Sequence, residues 1–126
     1  MSIFTHVTVG TNKLEEARKF YDASLATIGL KRIADLPNGS IWGKDKPSFF
    51  VLNPLNGSEA TVGNGVTVSF EASSRAAIDE FHKTALALGA EDAGAPGPRG
   101  WAPNAYAAYV RDLDGNKLAV YSFVEE

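Results

Sequence analysis

The chain has two histidines and no cysteine, so few side chains could hold a transition metal or transfer a proton near neutral pH. His6 lies in an alternating run, HVTV, that is typical of a strand with one open face, whereas His82 follows Phe81 in a stretch with helical spacing. His6 is therefore the candidate for a direct role with a ligand. A lone histidine on a strand is more often a hydrogen-bonded part of a half-buried cleft, and both interpretations stay open.

Residues 93–104 (AGAPGPRGWAPN) form a second candidate region, because they contain three Pro and three Gly and predict a loop rather than a regular element. A loop of this length in a small domain is typical of a lid or a binding segment. Arg99 could clamp a carboxylate or phosphate through its planar guanidinium, or lie in solvent. Trp101 has few core positions available in such a loop, so we expect its ring to stack on a planar ligand.

Aromatic residues also occur on the predicted strands. Most should pack in the core, because aromatic rings supply large buried areas in any small domain. Phe50, Tyr106 and Tyr121 are the strand aromatics that we select as candidate contacts for a ligand in a cleft.

The elements that would position these residues come from an internal repeat, because residues 67–82 follow the outline of residues 6–21 sixty-one positions later. In each copy an alternating run leads through a polar break into a helical stretch. The first copy predicts a strand at 3–9, a helix at 13–28 ended by Gly29, and strands at 30–35, 40–43 and 48–52. The second predicts a strand at 66–72, a helix at 74–88 ended by Gly89, a weakly marked strand at 90–92, and strands at 106–111 and 117–123.

We expect one domain over residues 1–126, with module one at about 1–53, a connection at 54–65 and module two at about 66–126. Each module alone would be only marginally stable at this size. Thr11 or Asn12 should cap the first helix, with Glu15 completing a capping box.

Composition limits the possible partners. The net charge is −3 and the cationic residues are dispersed, which argues against nucleic-acid binding. No apolar run approaches the roughly 18 residues of a membrane span, and the absence of cysteine excludes disulfides and thiolate metal sites. We expect a soluble, cytoplasmic protein whose partners are small molecules.

The order of the elements and motifs resembles the vicinal oxygen chelate superfamily, which contains glyoxalase I, bleomycin-resistance proteins and extradiol dioxygenases. The motifs that carry the resemblance are HVTV at 6–9, FYD at 20–22, GAPGPR at 94–99 and VRDLDGN at 110–116. The resemblance implies an α+β fold of two βαβββ modules whose curved mixed sheets form a cleft. It also implies a homodimer.

In that family a histidine on the first strand of each module and a carboxylate on the last strand hold Zn, Ni, Mn or Fe. His6 matches the first ligand, but the repeat places Thr67 at the second histidine and Ala119 at the usual glutamate. Glu71 shares the strand parity of Thr67 and could serve only if the register were shifted. Since such sites need about three protein ligands, we expect no family metal site.

Three functions follow from the resemblance and the residues. The first is a protein of the bleomycin-resistance kind that binds a small aromatic or anionic molecule without a cofactor. The alternative is a metal-dependent enzyme, lactoylglutathione lyase-like or dioxygenase-like, with His6 and Glu71 as possible metal ligands. The third is a metal-free enzyme in which His6 acts as general base. Thr67 is also a candidate ligand contact in the cleft.

Overall fold

A computed structural model describes residues 3–126, and the first two residues of module one lie outside the described part. The elements of the first module are β1 (Val7–Gly10), α1 (Leu14–Ala26), β2 (Lys31–Leu36), β3 (Gly39–Gly43) and β4 (Phe49–Leu52). Those of the second are β5 (Val68–Glu71), α2 (Arg75–Ala87), β6 (Glu91–Pro98), β7 (Tyr106–Arg111) and β8 (Lys117–Ser122). No helix within residues 3–126 is long and apolar enough to cross a bilayer.

Each module forms its own four-stranded mixed sheet, in the orders β1-β4-β3-β2 and β5-β8-β7-β6. The first and last strands of each module pair in parallel, and the other neighbours are antiparallel. The α+β class and the two βαβββ modules expected from the sequence are therefore confirmed.

Glycine ends both helices, as the sequence predicts. Gly29 has a φ of +85° and Gly89 a φ of +102°. Glycine adopts this left-handed conformation with little steric strain, because it has no Cβ. At the start of α2 the Ser74 hydroxyl accepts a hydrogen bond from the Ala77 amide at 3.1 Å, which fixes the first turn.

The predicted cap of α1 is wrong, because the residues proposed for it bond elsewhere. The helix begins at Leu14, and Lys13 occupies the N-cap position without a side-chain cap. The Asn12 side chain instead exchanges hydrogen bonds with the backbone of Ala60, at 2.7 and 3.0 Å. The Thr11 hydroxyl accepts from the Lys13 amide and donates to Asp114 at 2.5 Å. Contacts between the modules therefore replace the local capping box.

The prediction of an irregular segment from 93 to 104 is also wrong in its first half, since residues 91–98 form β6. Proline cannot donate to a ladder, but β6 is the edge strand of its sheet, where a missing N–H is tolerated. The register of β6 against β7 shifts at Gly94 and again between Gly94 and Gly97, so the glycines lie in β-bulges. The connection to β7 begins only at Arg99.

One apolar core joins the two modules. It consists of the inner faces of α1 and α2 and the strand residues that point toward them. Across the module boundary Phe49 meets Phe70 edge to face, with ring centroids 5.1 Å apart.

A polar contact crosses the same boundary. The hydroxyl of Tyr21 on α1 donates to the buried carboxylate of Asp112 at 2.5 Å, and burial raises the pKa of the Tyr21 phenol well above its usual value. Asp112 also accepts from the amides of Asp114 and Asn116, at 2.9 and 2.8 Å, so it fixes the turn between β7 and β8.

Replacement of Tyr21 by Phe should lower the free energy of unfolding by about 1.5–3 kcal/mol, because a hydrogen bond to a buried carboxylate is lost. Chemical denaturation measures the change. Tyr106→Phe is the matched control, since the Tyr106 hydroxyl bonds to Asp79 in an exposed contact, and it should cost about 1 kcal/mol or less. Equal losses in the two variants would contradict the role given to the buried pair.

Stability should also fall at alkaline pH in a way that depends on Tyr21. Its folded pKa is raised above the ordinary value of 10.0, so its contribution is fully present below pH 10 and is lost as the pH rises toward the folded pKa. The stability advantage of the wild type over Tyr21→Phe should therefore shrink above pH 10. A difference that stays constant up to the alkaline limit of folding would argue against this titration.

Candidate functional site

The second sheet has an open face opposite its helix. Side chains alternate along a strand, so Val68 and Phe70 pack toward the core while Thr67, Ser69 and Glu71 are exposed. The open face contains a pocket of about 500 Å³. It is lined by Thr67, Ser69, Phe70, Glu71, Trp101, Tyr109, Lys117, Tyr121 and Phe123.

Aromatic rings form one wall of this pocket. Tyr121 and Phe123 are stacked, with centroids 5.6 Å apart and planes 12° apart. Trp101 meets each of them edge to face at 5.7 Å. Trp101 is 67% exposed and Phe123 is 46% exposed, so the rings offer apolar surface that nothing in residues 3–126 covers. Such a surface suits a flat apolar ligand.

Two phenols supply the polar part of the same wall. The hydroxyls of Tyr109 and Tyr121 share a hydrogen bond, and Trp101 Nε1 donates to the Tyr121 oxygen at 3.1 Å. The pair carries two protons and uses one between its members, so one O–H stays available to a ligand. Burial and, after it, the hydrogen bond to Tyr121 raise the pKa of the Tyr109 phenol.

Two cations flank the Tyr109 ring. Lys117 Nζ lies 5.1 Å from the ring centroid and the Arg99 guanidinium carbon lies 5.5 Å from it. Arg99 donates to the carbonyl oxygens of Ala95, Gly97 and Pro98, at 2.9, 3.1 and 3.2 Å, and so braces the bulged β6. Its role as an anion clamp stays a prediction, whereas Lys117 lines the pocket.

His6 lies directly before β1 and contacts Phe50 of β4. Their rings stack at 4.3 Å, and His6 Nδ1 is 3.0 Å from the Thr5 hydroxyl. The adjoining pocket is smaller, about 210 Å³, and shares Ser69 and Phe70 with the aromatic pocket. The structure therefore brings Thr67, Trp101 and Tyr121 together and places His6 and Phe50 beside them.

The structure does not bring Tyr106 into this group. Tyr106 pairs with Ser122 across β7 and β8, so it shares the helix side of the sheet rather than the side of Tyr121. Its hydroxyl donates to Asp79 of α2 at 2.7 Å, and the Arg75 guanidinium lies 4.9 Å from its ring centroid.

Three pocket residues were not among the ligand contacts predicted from the sequence: Tyr109, Lys117 and Phe123. Lys117 and Phe123 share strand parity with the chosen Tyr121, and this parity is the signal that could have found them. Tyr109 could be found only from the pairing that sets it opposite Ala119.

Comparisons with known proteins agree with this architecture. The model of the Glyoxalase/Bleomycin resistance protein/Dioxygenase superfamily matches residues 3–120. The chain therefore belongs to the glyoxalase/bleomycin resistance protein/dioxygenase superfamily. A search of curated proteins gives no match.

Solved structures with the same fold differ widely in their similarity to the chain. A glyoxalase/bleomycin resistance protein from Albidiferax ferrireducens T118 is 38% identical, with a TM-score of 0.89 over 96% of this chain and 98% of that one. A glyoxalase/bleomycin resistance protein/dioxygenase family enzyme from Burkholderia phytofirmans PsJN is 18% identical, with a TM-score of 0.74 and coverage of 95% and 98%. A lactoylglutathione lyase from Agrobacterium tumefaciens is 21% identical, with a TM-score of 0.67 and coverage of 97% and 94%. The last two show the fold alone.

The two modules allow the positions of the family's metal ligands to be compared directly. Their parallel ladders have the same register, and the first pairs are Val7 with Phe49 and Val68 with Leu118. His6 thus corresponds to Thr67, and Phe50 corresponds to Ala119. The four positions that would carry two histidines and two carboxylates carry one imidazole, a phenyl ring, a hydroxyl and a methyl group.

The remaining donors do not complete a set. His82 is bound to Asp92 at 3.0 Å on the helix side, and Glu71 lines the aromatic pocket but not the one that His6 lines. Within residues 3–126 no three His, Cys, Asp or Glu side chains are grouped closely enough to hold an ion. The residues present therefore do not fit the family metal.

The exposure of Trp101 can be measured by fluorescence. Trp42 is fully buried, so a quencher such as acrylamide should reach only Trp101. In the Trp101→Phe variant the remaining emission should be blue-shifted and resist quenching. Equal quenching of the variant and the wild type would show that Trp101 is covered.

Proposed function

We propose that the chain is a small-molecule-binding protein of the bleomycin-resistance kind, which holds a planar ligand on its second sheet without a metal. The exposed cluster of Trp101, Tyr121 and Phe123 beside a pocket of about 500 Å³ is the observation that carries this proposal. Stacking and shape suffice to sequester a ligand, and neither requires a Lewis acid.

The asymmetry between the modules supports the same reading. In the first module Phe50 occupies one of the ligand positions, and its ring stacks on His6 with centroids 4.3 Å apart. In the second, the corresponding residue is Ala119, which is fully buried, and the larger side chains of Tyr109 and Tyr121 line the pocket of about 500 Å³. The second module therefore offers an aromatic-lined pocket where the first has a stacked imidazole and phenyl pair.

The enzymatic alternatives receive less support from the geometry. A lyase or dioxygenase of this superfamily would need a ligand set that Thr67, Phe50 and Ala119 do not supply. His6 as a general base would need a substrate proton within hydrogen-bonding distance. Its imidazole instead lies flat against Phe50 and next to the Thr5 hydroxyl.

Binding of a neutral planar probe, 2-naphthamide, should be detectable by isothermal titration calorimetry, and its saturated analogue cyclohexanecarboxamide should bind more weakly. Trp101→Ala should weaken the naphthamide about three- to tenfold, because a favourable aromatic pair contributes roughly 0.5–1.5 kcal/mol beyond buried area. Leu55→Ala is the matched control, since Leu55 is a strongly exposed apolar residue that does not line the pocket.

Two results would contradict the proposal. One is a naphthamide affinity that Trp101→Ala leaves unchanged. The other is a near-stoichiometric transition metal, detected by plasma mass spectrometry in freshly purified wild type, that is lost in His6→Ala.

A further inference from the structure

We infer that the ligands of this cleft are planar aromatic acids, and that Lys117 and Arg111 recognise the acid group. The inference rests on the proposed function and specifies its ligand class. It is carried by a second cavity, about 430 Å³, that adjoins the aromatic pocket and shares Thr67 and Lys117 with it.

The second cavity differs from the first in chemistry. No aromatic ring lines it, and its charged side chains are Lys117 and Arg111. Besides the shared Thr67, the remaining lining comes from the glycine-rich segment 62–66, whose side chains are two valines and one asparagine. Since the cavities meet at Lys117, one molecule can place a ring in the first and an anion in the second.

The two cations face each other without an anion between them. Arg111 and Lys117 are directly paired across β7 and β8, an arrangement in which like charges destabilise a sheet. Ion pairs within residues 3–126 involve Arg18, Arg32 and His82, not these two residues. Glu91 stands opposite Arg111 on β6 but forms no ion pair with it. A bound anion would relieve the repulsion.

Hydrogen-bonding capacity is available for that anion. Arg111 uses Nη1 to donate to the Gly115 carbonyl at 3.0 Å, which leaves other N–H groups of its guanidinium free in the part of the chain described. Lys117 contacts the Tyr109 ring face through its ammonium and donates no hydrogen bond among residues 3–126. Two such donors suit an oxyanion.

The charged residues at the two ends of the open face also determine the orientation of the ligand. Thr67 lies beside Lys117 at one end of the open face, and Glu71 lies four residues further along β5, about 13 Å away at the usual rise of a strand. Glu71 would repel an acid placed at its end. The acid group therefore lies at the Lys117 end and the ring on Trp101 and Tyr121.

The test compares 2-naphthoate with 2-naphthamide, two probes of the same shape that differ in charge. In full-length wild type at pH 7 and low salt, 2-naphthoate should bind about fivefold more tightly, the gain expected for one partly exposed ion pair. Raising the salt concentration should remove this advantage and leave the naphthamide affinity nearly constant.

Variants assign the effect to the two cations. Lys117→Met or Arg111→Met should reduce the preference for 2-naphthoate, and the double variant should bring its affinity down to that of the naphthamide. Lys117→Glu should favour 2-naphthylmethylammonium over 2-naphthoate. Lys83→Met removes an exposed lysine of α2 and should keep the wild-type preference. Thermal midpoints of all variants verify folding, and the salt series on wild type tests the inference without any variant.

The outcomes separate this inference from the proposed function. If 2-naphthamide binds as tightly as 2-naphthoate, or if Lys117→Met weakens both equally, the acid-recognition inference is overturned while aromatic binding stands. If Trp101→Ala weakens neither probe, the proposed function itself fails, and the inference falls with it.

Discussion

The arrangement of the two modules depends on the hydrogen bonds that the buried carboxylate of Asp112 accepts. It lies in the turn between β7 and β8, is 7% exposed, and accepts hydrogen bonds from Tyr21 of the first module and from the turn itself. The turn then directs Asp114 toward Thr11 and the Asn12 amide, at 2.5 and 2.8 Å. Because β8 begins three residues after Asp114, the same contacts set where the cleft residues of that strand begin.

Because side chains alternate along a strand, the position of β8 also determines which of its side chains reach the pocket. With β8 fixed, its odd-numbered residues Lys117 and Tyr121 line the pocket, with the small Ala119 covered between them, and its even-numbered residues Leu118 and Val120 enter the core. A cationic end and an aromatic end are thus spaced along one strand. The core and the cleft share a backbone, so packing of the buried face holds the open face in a fixed geometry.

Features that depend on short segments could be predicted from the sequence, whereas features that depend on contacts between distant residues could not. The repeat and the helix-ending Gly29 and Gly89 could be read directly, because hydrophobic period and left-handed conformation are properties of short segments. The cap at Asn12 failed because its partner, Ala60, lies 48 residues away. β6 was predicted only at 90–92, because its continuation to Pro98 depends on a position at the sheet edge that makes its prolines acceptable. Tyr106 was assigned to the cleft because the register that pairs it with Ser122 is not visible in sequence.

The two modules differ at corresponding positions, and the aromatic pocket lies on the second of them. At corresponding positions the first module places a phenyl ring against an imidazole, and the second places a methyl group beside a hydroxyl. The first pair forms a stacked contact, whereas in the second module Ala119 is fully buried and Tyr109 and Tyr121, from neighbouring strands, line the pocket. The residues at these positions therefore differ in size as well as in chemistry. The second module is the one in which aromatic rings lie next to the unpaired cations Lys117 and Arg111.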